Sequence, residues 1–106
     1  MKFGSLGNKG FHITLPNGIT LSVQFGPCNY CEHYDAYKDI GLPREKDKWE
    51  SMDAEMAAWW DVDRKWIDLD TMKLIDEGSD VVGYKTVADF LEIINKLSQL
   101  KRDAKP

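Results

Sequence analysis

The chain has 106 residues and a net charge of −4, from 14 Lys and Arg against 18 Asp and Glu. This length predicts a single domain over residues 1–106, which buries about 60 to 70% of its unfolded surface. The acidic balance argues against nonspecific nucleic-acid binding, because neutralising phosphates requires a concentrated excess of basic residues. No apolar run is long enough to cross a bilayer, and the N-terminal residues show no signal-peptide pattern. We therefore expect a cytoplasmic protein with no membrane partner.

The N-terminal part of the chain predicts a loose lead-in followed by a hairpin. Residues 1–9 hold two glycines and only scattered apolar positions, which is typical of loosely held ends. From residue 11 to residue 25, apolar residues alternate with polar ones, as they do in half-buried strands. Pro16 favours the first position of a three-residue turn, and Gly18 accepts a left-handed conformation at its end. The register with one apolar face pairs Phe11 with Val23, Ile13 with Leu21 and Leu15 with Ile19.

A long loop follows this hairpin. Gly26 and Pro27 end the second strand, since proline cannot donate to a strand ladder. Residues 28–52 contain Gly41, Pro43 and a dense run of charges, and they predict a loop, with a short helix around residues 34–39 as an alternative within it. Loops of this length in a small domain are usually functional or mobile.

Residues 54–70 predict a second hairpin with its turn at residues 61–65, where aspartates favour local hydrogen bonds to the backbone. The register with one apolar face pairs Trp59 with Ile67 and Ala57 with Leu69. That register places Trp60 and Trp66 on the other face of the sheet. There, either a second layer covers them or they are displayed to solvent.

The C-terminal third predicts a short strand and a helix. Gly83 marks a bulge or a close backbone approach within the strand Val81–Tyr84. Thr86 caps the helix, with Asp89 in the capping-box position, and residues 103–106 should fray. The apolar stripe of the helix comprises Val87, Phe90, Leu91, Ile94, Leu97 and Leu100. The predicted fold class is α+β, an antiparallel sheet of about four or five strands with one C-terminal amphipathic helix packed on it.

Three potential metal ligands share the long loop, Cys28, Cys31 and His33, and His12 on the polar face of the first strand could complete a zinc site. Structural zinc sites usually pair two separated two-ligand segments, so we interpret the cysteines as packed or idle thiols and expect no cofactor. A cysteine nucleophile with a histidine base can be drawn, but no orienting third group or oxyanion hole accompanies it. We therefore expect no enzymatic activity, with a zinc-stabilised module as an alternative.

Aromatic residues are the more persuasive functional feature. Tryptophan and tyrosine supply large contact area at low entropy cost and are enriched at interface hot spots. The alternatives are that the tryptophans fill the core, or that aromatics beside Arg44, Lys46 and Lys48 stack a nucleotide. The candidate partner-binding residues are Tyr30, Tyr34, Tyr37, Trp49, Trp60 and Trp66, with Asp61 and Asp63 in the second turn.

Several motifs resemble a group of small uncharacterised accessory proteins of tailed bacteriophages and prophages. The matching segments are Lys9–Ile13, Asn17–Gly18, Ser22–Gly26, Asn29–Cys31, Ala54–Trp59 and Val82–Tyr84. They cover most of the chain but not the long loop. In that group glycine often stands at the position of Cys28, which counts against a shared zinc site using both cysteines.

This resemblance implies a context for the protein. Phage accessory genes often encode proteins that disarm bacterial defence by stoichiometric binding, as anti-CRISPR inhibitors do, or by sequestering a nucleotide second messenger. We therefore predict an inhibitor that binds a host defence protein inside an infected or lysogenic bacterium, with a CRISPR-associated nuclease complex as a candidate partner. A nucleotide sponge is the alternative, and the sequence leaves homo-oligomerisation open.

Overall fold

A computed structural model describes residues 1–5, 9–26, 51–75 and 80–102 of the chain. Within them the predicted α+β fold is confirmed: an antiparallel sheet carries one C-terminal helix on one face. The elements are β1 (Lys2–Ser5), β2 (Gly10–Thr14), β3 (Ile19–Gln24), β4 (Asp53–Trp60), β5 (Trp66–Ile67), β6 (Val82–Thr86) and α1 (Val87–Ser98). The predicted loop over residues 28–52, apart from its last two residues, and the predicted tail at 103–106 lie outside the described residues.

The sheet runs in the order β1-β2-β3-β4-β5, and β6 pairs with the same edge of β4 as β5 does. Strand β4 is long enough for this sharing, since its second half pairs with β5 and its first half with β6. The order makes β3 and β4 the central strands. Both are flanked on each side by other strands of the sheet.

Strand β1 corrects the prediction of a loose lead-in for residues 2–5. Lys2 pairs with Thr14 and Ser5 with Phe11, so this segment extends the sheet beyond β2. Its side chains are all exposed, which explains why the sequence shows no apolar alternation there. Pairing with the free backbone groups of β2 overrides the weak local pattern.

The first hairpin matches its prediction residue by residue. Phe11 opposes Val23 and Ile13 opposes Leu21, and the amide of Leu15 donates to Ile19 O at 2.8 Å. Gly18 adopts a φ of +91°, the left-handed conformation for which glycine has no Cβ penalty. The turn chemistry and the apolar alternation therefore specify the same register.

The second hairpin is present, but its predicted register is wrong by one residue. Strand β4 pairs Ala58 with Ile67 and Trp59 with Trp66. The loop has four residues instead of five, because Trp60 N donates to Lys65 O at 2.9 Å. Arg64 closes this loop with a φ of +60°. Since side chains alternate along a strand, a slip of one residue exchanges the faces of the β4 side chains relative to those of β5.

Strand β6 contains the bulge that Gly83 predicted. Ala54 pairs with Lys85 and Met56 with Val82, so three steps along β6 match two steps along β4. The left-handed position belongs to Tyr84, with a φ of +55°, next to the glycine. The bulge re-aims the chain as it passes from the sheet into the helix.

Helix α1 begins with the predicted capping box. Asp89 N donates to the Thr86 hydroxyl at 3.2 Å, and Thr86 N donates to the Asp89 carboxylate at 2.9 Å. The predicted apolar stripe needs correction at two positions, because Val87 is 67% exposed and Leu91 is 59% exposed. Ile93, absent from the prediction, is buried instead. The stripe that packs on the sheet comprises Phe90, Ile93, Ile94, Leu97 and Leu100.

Two side chains tie the end of α1 to the sheet. Asn17, in the first turn, donates to Leu97 O at 2.8 Å and to Leu100 O at 3.0 Å, which satisfies carbonyls that a helix end leaves free. Arg102 forms an ion pair with Asp63 of the second loop. Its guanidinium also lies 5.6 Å from the ring centre of Trp60, a cation–π contact.

The helix cap predicts a measurable contribution to stability. Thr86→Ala removes the hydroxyl acceptor and should lower the free energy of unfolding by about 1 kcal/mol. Thr86→Ser keeps the acceptor and should lie close to the parent protein in the same urea titration. Equal losses in the two variants would show that the threonine methyl, and not the cap, is responsible.

The same cap predicts a pH dependence. Hydrogen bonds from the Thr86 backbone amide, and then from its side chain, lower the pKa of the Asp89 carboxyl, and Lys85 adds a smaller effect. A carboxyl with a lower pKa in the folded state stabilises that state above its unfolded pKa of about 4 and loses this contribution as pH falls through the folded value. Asp89→Asn should therefore be less stable than the parent at pH 7, and the difference should close below about pH 4. A difference that stays constant down to pH 2 would exclude this linkage.

Candidate functional site

The sheet face opposite the helix carries a continuous row of paired residues. Lys2 of β1 opposes Thr14, Thr14 opposes Thr20, and Thr20 opposes Trp59. Trp59 in turn opposes Trp66 of β5. We call this face the polar face. Its row places a lysine at one end and two tryptophans at the other, with two threonines between them.

The neighbouring row is made of small residues and one histidine. Gly4 opposes His12, His12 opposes Ser22, and Ser22 opposes Ala57. Thr20 and Ser22 on β3 are both only 5% exposed. Because these β3 side chains are short, rings from the two flanking strands can meet above them.

Three rings meet on the polar face, and we call them the aromatic row: His12, Trp59 and Trp66. The His12 and Trp59 ring centres are 5.3 Å apart with an interplanar angle of 82°, the edge-to-face arrangement that aromatic quadrupoles favour. The Trp59 and Trp66 ring centres are 5.1 Å apart with the rings tilted at 50°. All three residues are partly exposed. The row therefore presents aromatic surface while covering the middle of β3.

A chain of hydroxyls links the polar face to the second loop. Thr20 Oγ1 donates to the Asp61 carboxylate at 2.7 Å, and the Thr14 and Thr20 hydroxyls are 2.8 Å apart. Since Thr20 gives its only hydroxyl proton to Asp61, Thr14 must donate to Thr20. The oxygen of Thr14 is thereby left with acceptor capacity alone.

Among the described residues, two depressions on the polar face are both bordered by His12, Trp59 and Arg64. The larger has a volume of about 420 Å³ and also includes Lys2, Thr14 and Asp61. The smaller, of about 290 Å³, also includes Ser22 and Trp66. Both volumes are of the order found for small-molecule sites. Aromatic, hydroxyl and cationic groups therefore converge around Trp59.

The predicted display of Trp60 is wrong. Trp60 is 5% exposed and belongs to the apolar core beneath the helix. The one-residue shift of the second hairpin explains the correction, because it turns Trp60 inward and brings Trp59 out beside Trp66. Trp66 lies on the polar face as predicted.

The two loop aspartates predicted to bind a partner are both exposed and both engaged within the chain. Asp61 accepts the Thr20 hydroxyl. Asp63 forms the ion pair with Arg102 and accepts from Lys65 N at 3.1 Å. Their first role is therefore to hold the second loop against β3 and against the end of the chain.

The remaining predicted residues fall into two groups. His12 lies on the polar face, as predicted, where it packs against Trp59. Among residues 1–5, 9–26, 51–75 and 80–102, no group of three or more His, Cys, Asp or Glu could hold a metal ion. Outside these residues lie Cys28, Cys31, His33, Tyr30, Tyr34, Tyr37 and Trp49.

Sequence reasoning missed Trp59 and Arg64 as members of the site. Trp59 had a signal, since alternation along β4 places it on the same face as the charged Glu55 and places Trp60 with Met56. Arg64 had none, because its left-handed conformation is normally signalled by Gly or Asn. The four-residue loop that it closes sets the register of Trp66 against Trp59.

The comparisons with known proteins leave the chain without an assigned family. No family model matches the sequence, and no curated protein or solved structure matches it. In the described part of the chain, no helix has the length and apolar character to cross a membrane. The resemblance to phage accessory proteins stays a prediction.

The corrected placement of the tryptophans predicts contrasting effects on stability. Trp60→Ala removes a buried indole from the core and should lower the free energy of unfolding by about 3 to 5 kcal/mol. Trp66→Ala removes a partly exposed ring and should cost less than about 2 kcal/mol. Urea unfolding followed by far-UV circular dichroism measures both. A loss for Trp60→Ala as small as that for Trp66→Ala would mean that Trp60 lies outside the core, as in the predicted register.

Proposed function

We propose that the protein is a noncatalytic inhibitor of a bacterial defence system that acts by binding a host protein stoichiometrically through its polar face. The observation that carries this proposal is the aromatic row beside Arg64. Tryptophan and arginine are the residues most enriched among interface hot spots. A partly exposed pair of indoles in mutual contact is already ordered, so a partner loses little further side-chain entropy in binding them.

The surroundings of the aromatic row suit a binding surface. Shallow depressions on both sides of Trp59 offer places for partner side chains to insert. Because β4 is a central strand, Trp59 in the middle of the row stands on the best-supported part of the sheet. A rigid platform with anchor residues at its centre is the arrangement that supports tight association.

The nature of the partner rests on the resemblance to phage accessory proteins. That resemblance favours a host defence protein, with a CRISPR-associated nuclease complex as the first candidate.

The proposal predicts a specific pattern of capture. Tagged protein mixed with a lysate of a phage-susceptible bacterium should retain one defence protein, which mass spectrometry identifies. The two purified proteins should then form a complex of fixed stoichiometry. Trp59→Ala and Trp66→Ala should each weaken the purified complex by about tenfold or more, because each removes a hot-spot ring. The defence protein should also be inactive in the complex.

Leu91→Ala serves as the matched control, since Leu91 is 59% exposed on the helix and far from the polar face. It should bind like the parent protein. Unchanged binding by both tryptophan variants would remove the polar face from the interface. Turnover of any substrate by the pure protein would contradict the proposal that the inhibitor is noncatalytic.

A further inference from the structure

We propose that the larger depression on the polar face binds a nucleoside monophosphate, with the base against Trp59 and Arg64 and the phosphate at Lys2. This inference goes beyond capture of a host protein, because it assigns a small-molecule ligand to one part of the same face. It is argued from the charges, the hydroxyl directions and the dimensions of the depression.

The charge around the depression is positive, although the whole chain carries −4. Lys2 and Arg64 border it, with Asp61 as its acidic member. Asp61 accepts the Thr20 hydroxyl, whereas within the described residues neither Lys2 nor Arg64 takes part in an ion pair. Two cationic side chains without a partner favour an anionic ligand.

The aromatic side of the depression favours a planar group. Trp59 and the exposed Arg64 border it together, and both indole and guanidinium planes stack on nucleobases. An anionic ligand with a flat ring meets both requirements.

The acceptor oxygens that border the depression favour a sugar between the base and the phosphate. Thr14 directs its proton to Thr20, so its oxygen can only accept a hydrogen bond from a ligand. The carboxylate of Asp61 can likewise only accept. Ribose hydroxyls supply the donors that these acceptors need. A second phosphate has no proton to donate to the oxygens of Thr14 and Asp61.

The dimensions agree with this order of groups. Lys2 and Trp59 stand in the same row, three strand spacings apart, which is about 14 Å between backbones. The flexible four-carbon stem of Lys2 can reach across part of this distance. The volume of about 420 Å³ admits one such molecule.

The test is titration of the whole protein with GMP and AMP, followed by calorimetry, with guanosine, inorganic phosphate and a short single-stranded oligonucleotide as separate arms. A monophosphate should bind more tightly than guanosine or inorganic phosphate alone, and its binding should weaken with added salt. Lys2→Gln should weaken GMP binding about tenfold while leaving guanosine unchanged. Arg64→Gly should weaken the binding of both GMP and guanosine. Glycine readily adopts the left-handed backbone conformation at this position, so the substitution should not disturb the loop.

Lys96→Gln is the matched control, because Lys96 lies on the helix and pairs with Glu92. If Lys96→Gln weakened GMP binding as much as Lys2→Gln does, the assignment would be overturned. It would also be overturned if inorganic phosphate bound as tightly as GMP. Tighter binding of the oligonucleotide than of GMP at equal salt would assign the depression to nucleic acid and would also overturn it.

The two proposals for this face fail separately. Trp66 borders only the smaller depression of the two, so Trp66→Ala should weaken capture of the host protein and leave GMP binding intact. If the protein captured the host protein but bound no monophosphate, only the nucleotide-site proposal would be refuted. If it bound GMP but captured no host protein, only the inhibitor proposal would be refuted.

Discussion

The uninterrupted pairing of β3 with β4 is the constraint on which the rest of the structure depends. Six consecutive pairs run from Ile19 with Trp60 to Gln24 with Glu55. Because side chains alternate along strands, this one register decides the face of every β4 residue. It sends Trp60 into the core and Trp59 to the polar face. A slip by one residue would turn Trp59 into the core and move Trp60 out from beneath the helix.

The two faces of the sheet divide the work of stability and recognition. On the helix side, aliphatic residues of β3 and β4 meet the stripe of α1, and Arg102 covers the indole of Trp60. On the polar side, the short side chains of Thr20 and Ser22 let His12 reach Trp59 across a whole strand. Thr20 and Trp59 therefore stand directly on the strands that carry the core. Their positions are as rigid as the sheet itself.

Local chemistry explains which parts of the fold were predictable. The first hairpin and the helix cap each rest on residues close in sequence, such as Gly18 and the Thr86–Asp89 pair, so the pattern alone specifies them. The second hairpin depends on Arg64 adopting a conformation that its residue type disfavours, and the predicted register failed there. Strand β1 and the buried Ile93 depend on tertiary packing. The site inherits this division, with His12 and Trp66 predicted, and Trp59 and Arg64 missed.

The bond from Asn17 to the end of the helix has a consequence for how the protein is made. Its side-chain amide reaches carbonyls 80 and 83 residues further along the chain. A ribosome completes the hairpin turn long before it completes those carbonyls, so the amide stays hydrated until the last helical turn emerges. Contacts of such sequence separation slow the search for the native state. This contact between the first turn and the helix therefore forms only after residue 100 has emerged, and a nascent chain halted within the helix lacks it.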